Sequence, residues 1–252
     1  MLTDSNFLIF LLSIVPGLIY AYIIYLAAPI RSVDLKKAFR YLMIGLLSPV
    51  FVLALHFIFP NWLEPVYKTV PILSYIIIAF FQIAFIEELA KYSAYKLAYT
   101  HRNEQEPSYA IMYYSVMISL GFAIFENIVY SYSNDWTVIL VRSASSVVLH
   151  MLCGLFMGYF LTKANMDIDI KNATVFEYLF KTKTKVKKTY YNLVGIFFVV
   201  FIHGLYDMIL MYNFMDATYR IIMAFGFIGI CLWLAYIVSK SIRKKQNEIQ
   251  SN

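Results

Sequence analysis

The chain has 252 residues, 61% of them apolar and 14% charged, with a net charge of +6 and a mean hydropathy of +0.67. Such a composition excludes a water-exposed globule, and about seven spans of ~20 residues would leave no room for a separate soluble domain. The basic residues sit in gaps between apolar runs, where anionic headgroups and the insertion machinery account for them, so nucleic acid is not an expected partner.

In chain order the predicted spans run over Asn6–Ala28, Tyr41–Phe59, Ile72–Lys91, Ile111–Tyr132, Val138–Leu161, Asn192–Tyr212 and Ile221–Ser239. The first has Asp4 and no cationic residue ahead of it, and it exceeds a signal-peptide core in length, so it reads as a retained span. Lys and Arg alternate between gaps: four over Arg31–Arg40, Lys68 alone, three over Lys91–Arg102, none over Ser133–Thr137, seven over Lys163–Lys188, Arg220 alone and four over Lys240–Lys245. With the basic gaps inside, the N-terminus is outside and the C-terminus inside. Runs of this length without period-2 alternation exclude a barrel. The expected fold is therefore an all-α, polytopic helical bundle in the cell membrane, a single unit over 1–252 with a motif-bearing core at about 72–212. The gap at Thr162–Tyr190 reads as a solvated basic loop, with Val175–Phe180 as an alternative surface helix. Cys153 and Cys231 lie inside apolar runs, outside any CxxC pattern.

Ionisable groups within a span are costly and mark protein interiors or wet cavities. The third span ends in Phe85-Ile-Glu-Glu-Leu-Ala-Lys91, where either Glu87 or Glu88 reaches Lys91 along the helix while the two carboxylates point about 100° apart. One then lines a cavity while the other is held by the ammonium; the alternative is an interfacial ion pair at the cytoplasmic headgroups. In the fourth span Glu126 is four residues from Tyr130, whose hydroxyl could orient it, and Asn127 lies beside it. The fifth carries His150, Gly154 and Gly158 on one stripe, a spacing for close helix approach that would take the imidazole to the bundle centre. Arg142 lies just inside this span. In the sixth, His203 and Asp207 are four apart, so Asp207 can fix the imidazole tautomer. At ~1.5 Å per residue the two histidines fall at similar depths, and helix tilt permits the carboxylates to meet them.

In this order and on successive spans, Glu87-Glu88-x-x-Lys91, Gly121-Phe122 through Glu126-Asn127 to Tyr130, Arg142 with His150 and Gly158-Tyr159, and His203-x-x-x-Asp207 resemble the PrsW family of intramembrane glutamic-type endopeptidases. The related CAAX-prenyl protease group has Glu-Glu-x-x-x-Arg, and Tyr92 stands where that arginine would fall, which favours the PrsW branch. The resemblance implies hydrolysis of a peptide bond in or near the membrane, with first cleavage of a membrane-bound anti-sigma factor as the associated role. It implies a catalytic set of Glu87, Glu88, His150 and His203, supported by Lys91, Glu126, Asn127, Tyr130 and Asp207. A carboxylate, Glu87 by analogy, would deprotonate water positioned by His150, while His203 with Asn127 or Asp207 would polarise the carbonyl. No metal is expected; zinc on the histidines and one glutamate is the alternative, although no His-x-x-x-His or His-Glu-x-x-His occurs. The expected partners are a membrane protein substrate and the lipid bilayer, and the sequence is silent on oligomeric state. A proton-coupled transporter using the same Glu, His and Asp groups as a relay is the rival reading. A retinal receptor finds no Schiff-base lysine in Ile221–Ser239.

Overall fold

A computed structural model describes residues 4–27, 35–58, 71–99, 109–165, 184–212 and 215–250, and among them the secondary structure is helical with no strand. Seven helical stretches are long and apolar enough to cross a bilayer: Phe7–Leu26, Leu35–Ile58, Leu73–Ala98, Ala110–Ser131, Trp136–Ala164, Lys188–Met211 and Ala217–Lys240. They are the first to seventh spans below. Most of the basic loop and its Val175–Phe180 segment lie outside the described residues.

Three spans depart from the predicted bounds. The second begins at Leu35 and is interrupted at Ser48, where Pro49 has no N–H to continue the ladder and the Ser48 hydroxyl donates to the Gly45 carbonyl at 2.7 Å. The third runs past Lys91 to Ala98, because Ala94, Tyr95 and Ala98 are buried against the bundle. Glu87, Glu88 and Lys91 therefore sit within the helix and are buried, which rules out the interfacial ion pair. The fifth is two helices, Trp136–Ala144 and Ser146–Asn165, with a break at Ser145.

The fourth span is the centre: 78% of its apolar window is buried, against 17% for the first span and 22% for the seventh. Glycines set how closely its neighbours approach. A Cβ at Gly45 would collide with the Ile118 carbonyl, and one at Gly121 with the Leu42 carbonyl, so the second and fourth backbones touch directly. Gly154 and Gly158 meet the same helix, their Cβ positions falling 2.6 Å from Ser119 Oγ and 2.5 Å from Met112 Cα. The predicted small-residue stripe is thus the packing face of the fifth span, and it carries His150 inward. Stacking of Tyr41 on Tyr114 at 4.0 Å completes the second-to-fourth contact. Phe7, Leu26, Trp233 and Tyr236 on the outer spans are exposed, the surface a hydrocarbon solvent requires.

The third span opens with a short α-helix, Pro71–Ile76, and then winds as a π-helix over Ile77–Ala84 before returning to α-helix at Phe85. Wider i→i+5 turns rotate the residues beyond them about the helix axis, and such turns recur at functional sites. Here the π segment ends three residues before Glu87 and packs against the sixth span. Its Phe80 ring lies 2.5 Å from where a Cβ would stand at Gly204, so only glycine admits the third span this close beside His203.

Candidate active site

Four spans deliver eight ionisable side chains to one cluster: Glu87, Glu88 and Lys91 from the third, Glu126 from the fourth, Arg142 and His150 from the fifth, His203 and Asp207 from the sixth. Lys91 Nζ is at its base, donating to Glu88 Oε1 at 2.7 Å and lying 2.7 Å from His150 Nδ1, with the Phe122 ring centroid 4.3 Å away. Glu88 Oε1 also accepts from His203 Nδ1 at 2.9 Å. On the other side of His150, Nε2 is 2.7 Å from Glu126 Oε2, whose second oxygen is 3.0 Å from Arg142. The two imidazoles stand edge to face with centroids 5.0 Å apart.

Glu87 is not held as Glu88 and Glu126 are. Its Oε2 is buried, has no hydrogen-bond partner among the described residues, and lies 3.8 Å from His203 Nε2. Asp207 Oδ2, likewise unpartnered, is 3.4 Å from the same nitrogen. A buried oxygen without a partner is expensive, so two of them around one imidazole nitrogen define a space for a polar guest. Charge points the same way. Four carboxylates meet two permanent cations, and a buried cluster so far from neutrality holds exchangeable protons among its carboxylates and imidazoles.

Burial is graded across the cluster, from a floor to a less buried side, its mouth. The side chains of Glu126, Asp207 and Arg142 are 18%, 16% and 13% exposed, whereas Lys91, Glu88 and His150 are at 4%, 2% and 1%. The mouth faces the turn from Ser131 to Trp136 that joins the fourth and fifth spans, since Arg142 and Glu126 are within two turns of it.

Most of the predicted residues meet here, with one open pairing resolved and two altered. Lys91 holds Glu88 and leaves Glu87 free, which resolves the choice between adjacent carboxylates. The partner that fixes His203 through Nδ1 is Glu88, from another helix, while Asp207 stands off Nε2. Tyr130 does not serve Glu126 through a hydroxyl bond; its ring lies under Arg142, 3.6 Å from the guanidinium carbon, and the guanidinium holds Glu126 instead. Arg142 is the residue that sequence reasoning undervalued. It also donates from Nε to Asn127 Oδ1 at 3.0 Å, leaving the buried Asn127 Nδ2 without a partner among the described residues. The available signal was a basic residue inside an apolar run, four residues from its predicted start at Val138. Tyr206, donating to Ser145 Oγ at 2.8 Å, ties the sixth span to the break in the fifth.

Glu87, His150 and His203 each bring one potential ligand atom within 4.8 Å of the others, the size of a metal site. His150 does not fit that role as placed. Lys91 is donor-only, so Nδ1 accepts, Nε2 carries the hydrogen toward Glu126, and no lone pair is left for an ion.

Comparison with known proteins supplies the relationship. Residues 34–237 match the model of the family described as PrsW family intramembrane metalloprotease. The chain is 36% identical to Protease PrsW of Oceanobacillus iheyensis over 54% of its own length and 56% of that protein's. It is 30% identical to Protease PrsW of Halalkalibacterium halodurans over 79% and 81% of the two chains, and 31% identical to that of Bacillus subtilis over 53% and 54%. The match to the Oceanobacillus and Bacillus proteins spans about half their length. No solved structure matches. The chain belongs to the PrsW family.

Proposed function

We propose that this PrsW-family chain is a membrane-embedded endopeptidase that hydrolyses a peptide bond of a membrane-associated protein, using water activated by Glu87. The observation that carries this reading is the unpartnered Glu87 Oε2, facing His203 Nε2 at 3.8 Å beside the likewise unpartnered Asp207 Oδ2. A water between them would satisfy the carboxylate. Glu87 takes a proton from it as the oxygen attacks the carbonyl carbon. His203, as the imidazolium with Nδ1–H donating to Glu88, donates Nε2–H to the oxyanion, and the proton on Glu87 then passes to the departing amine nitrogen as the C–N bond breaks. His150, bounded by Lys91 and Glu126, keeps the wall beside the water polar and fixed.

The names of the relatives and the family's description support proteolysis. The word metalloprotease in that description conflicts with the His150 pairing, and no step here passes through a metal. Substrate entry through the mouth beside Glu126, Arg142 and Asp207 suits an extended segment next to a transmembrane helix, and a single-span anti-sigma factor is the candidate substrate class. Convergence of the charges on one another favours hydrolysis over a relay, which would string them along the bundle. The test is incubation of purified protein with single-span membrane substrates, with and without a strong chelator. Cleavage that survives chelation and disappears in Glu87→Gln supports the reading; cleavage unaffected by Glu87→Gln overturns it.

A further inference from the structure

The geometry points to Lys91 as a positioning residue that caps the Nδ1 lone pair of His150 and thereby keeps the Glu87–His150–His203 cluster from taking up a divalent metal. Four groups face the His150 ring: Lys91 Nζ at Nδ1, Glu126 Oε2 at Nε2, each at 2.7 Å, and the Phe122 and His203 rings with centroids at 5.5 and 5.0 Å. Neither ring supplies a competing acceptor for an Nδ1 hydrogen. An ammonium has three donors and no acceptor, so Nδ1 must present its lone pair to Lys91. The single ring hydrogen is then on Nε2, where a carboxylate receives it. Glu126 is held in place for this by Arg142 at 3.0 Å, and Lys91 by Glu88 at 2.7 Å.

The consequence is chemical. A histidine binds a metal through an unprotonated nitrogen whose opposite N–H has an acceptor, commonly a carboxylate. Here the Glu126 carboxylate occupies Nε2 and excludes an ion there, while the cation caps Nδ1, the one nitrogen whose opposite N–H has such an acceptor. The triad has the span of a zinc site and a donor-only cation on the lone pair that would bind the ion. Replacing Lys91 by an apolar residue would uncover Nδ1 while Glu126 keeps the hydrogen on Nε2.

The inference concerns the same site as the proposed hydrolysis but is read without substrate, so its failure and the failure of the protease reading are separable. Long-range proton–nitrogen NMR of histidine-labelled protein in micelles reports the tautomer, with His150 signals assigned by their loss in His150→Gln. In wild type and in Lys91→Arg, which keeps a donor-only cation, His150 shows a protonated Nε2 and a bare Nδ1. In Lys91→Met, which has no donor for Nδ1, the Nε2–H form stays, and incubation with zinc alone loads about one ion per chain, a load that adding His203→Ala removes. A wild-type spectrum with hydrogen on Nδ1, or stoichiometric zinc in wild type that His150→Gln abolishes, overturns the inference. So does a folded Lys91→Met that takes up no zinc. If Lys91→Met does not fold, the wild-type and Lys91→Arg spectra decide.

Discussion

Glu87 and Glu88 are neighbours with the same chemistry, and only three-dimensional pairing separates them. Glu88 accepts from Lys91 and His203, so its replacement by Gln disturbs the positions of two other side chains, whereas Glu87→Gln removes one unpartnered oxygen. Glu87→Gln is therefore expected to leave insertion and thermal stability near wild type while lowering kcat by at least about 100-fold, the scale of a lost general base. Detergent melting curves beside cleavage rates check this, and a variant that melts early would reassign Glu87 to structure. Arg142 predicts the reverse order of effects. Arg142→Leu leaves Glu126 and Asn127 without their shared partner and should destabilise by about 3 kcal/mol, with Glu126→Gln in the same chain restoring part of the loss. The sequence made most of this cluster legible because ionisable residues inside apolar runs have few innocent explanations. It could not show that His203 is fixed by Glu88, since a local i,i+4 rule proposes Asp207 and knows nothing of a third-span oxygen arriving from another helix.

At the scale of elements, the apolar runs marked the spans and the glycine stripe marked the packing face, but two local irregularities were invisible. The π segment at Ile77–Ala84 is written in ordinary apolar residues, and the break at Ser145 has neither Pro nor Gly to announce it. Both are products of packing: Phe80 against Gly204, and Tyr206 bonded to Ser145. Gly204→Val should accordingly separate the third and sixth spans at the level of His203 and lower activity more than Gly226→Val, since Gly226 has open space around it. Equal effects of the two variants on cleavage and melting would refute the close approach of these spans. Helix starts in the turns are set by aspartates. Asp135 Oδ1 accepts from the amides of Thr137 and Val138, and these bonds with the Thr137 hydroxyl hold its carboxyl below the usual range. A lowered carboxylate contributes stability that is present above the unfolded value of about 3.9 and lost as pH falls through the folded one. Amide exchange at Thr137 and Val138 should stay slow down to that range and quicken below it, and should be fast at neutral pH in Asp135→Ala.

The whole molecule places a charged cluster in the middle of a bundle and opens it toward one end. Seven spans put the Ser131–Trp136 turn and the Tyr212–Ala217 turn on the same side as the N-terminus, because each is separated from it by an even number of crossings. The site's more exposed groups, Glu126, Arg142 and Asp207, are nearest that end, and Asp207 is one helical turn from Met211 where the sixth span stops. The basic gaps belong to the opposite end, so on the positive-inside rule we propose an extracytoplasmic mouth. A single-span substrate would then be cut on the outer side of its helix. Impermeant thiol labelling in a background with Cys153 and Cys231 replaced tests the arrangement: Ser133→Cys, exposed in the fourth-to-fifth turn, should react in intact cells, and Lys240→Cys, exposed at the end of the seventh span, should react only after the membrane is opened. The reverse pattern would put the mouth on the cytoplasmic side, and the cut would then fall on the cytoplasmic side of the substrate's helix.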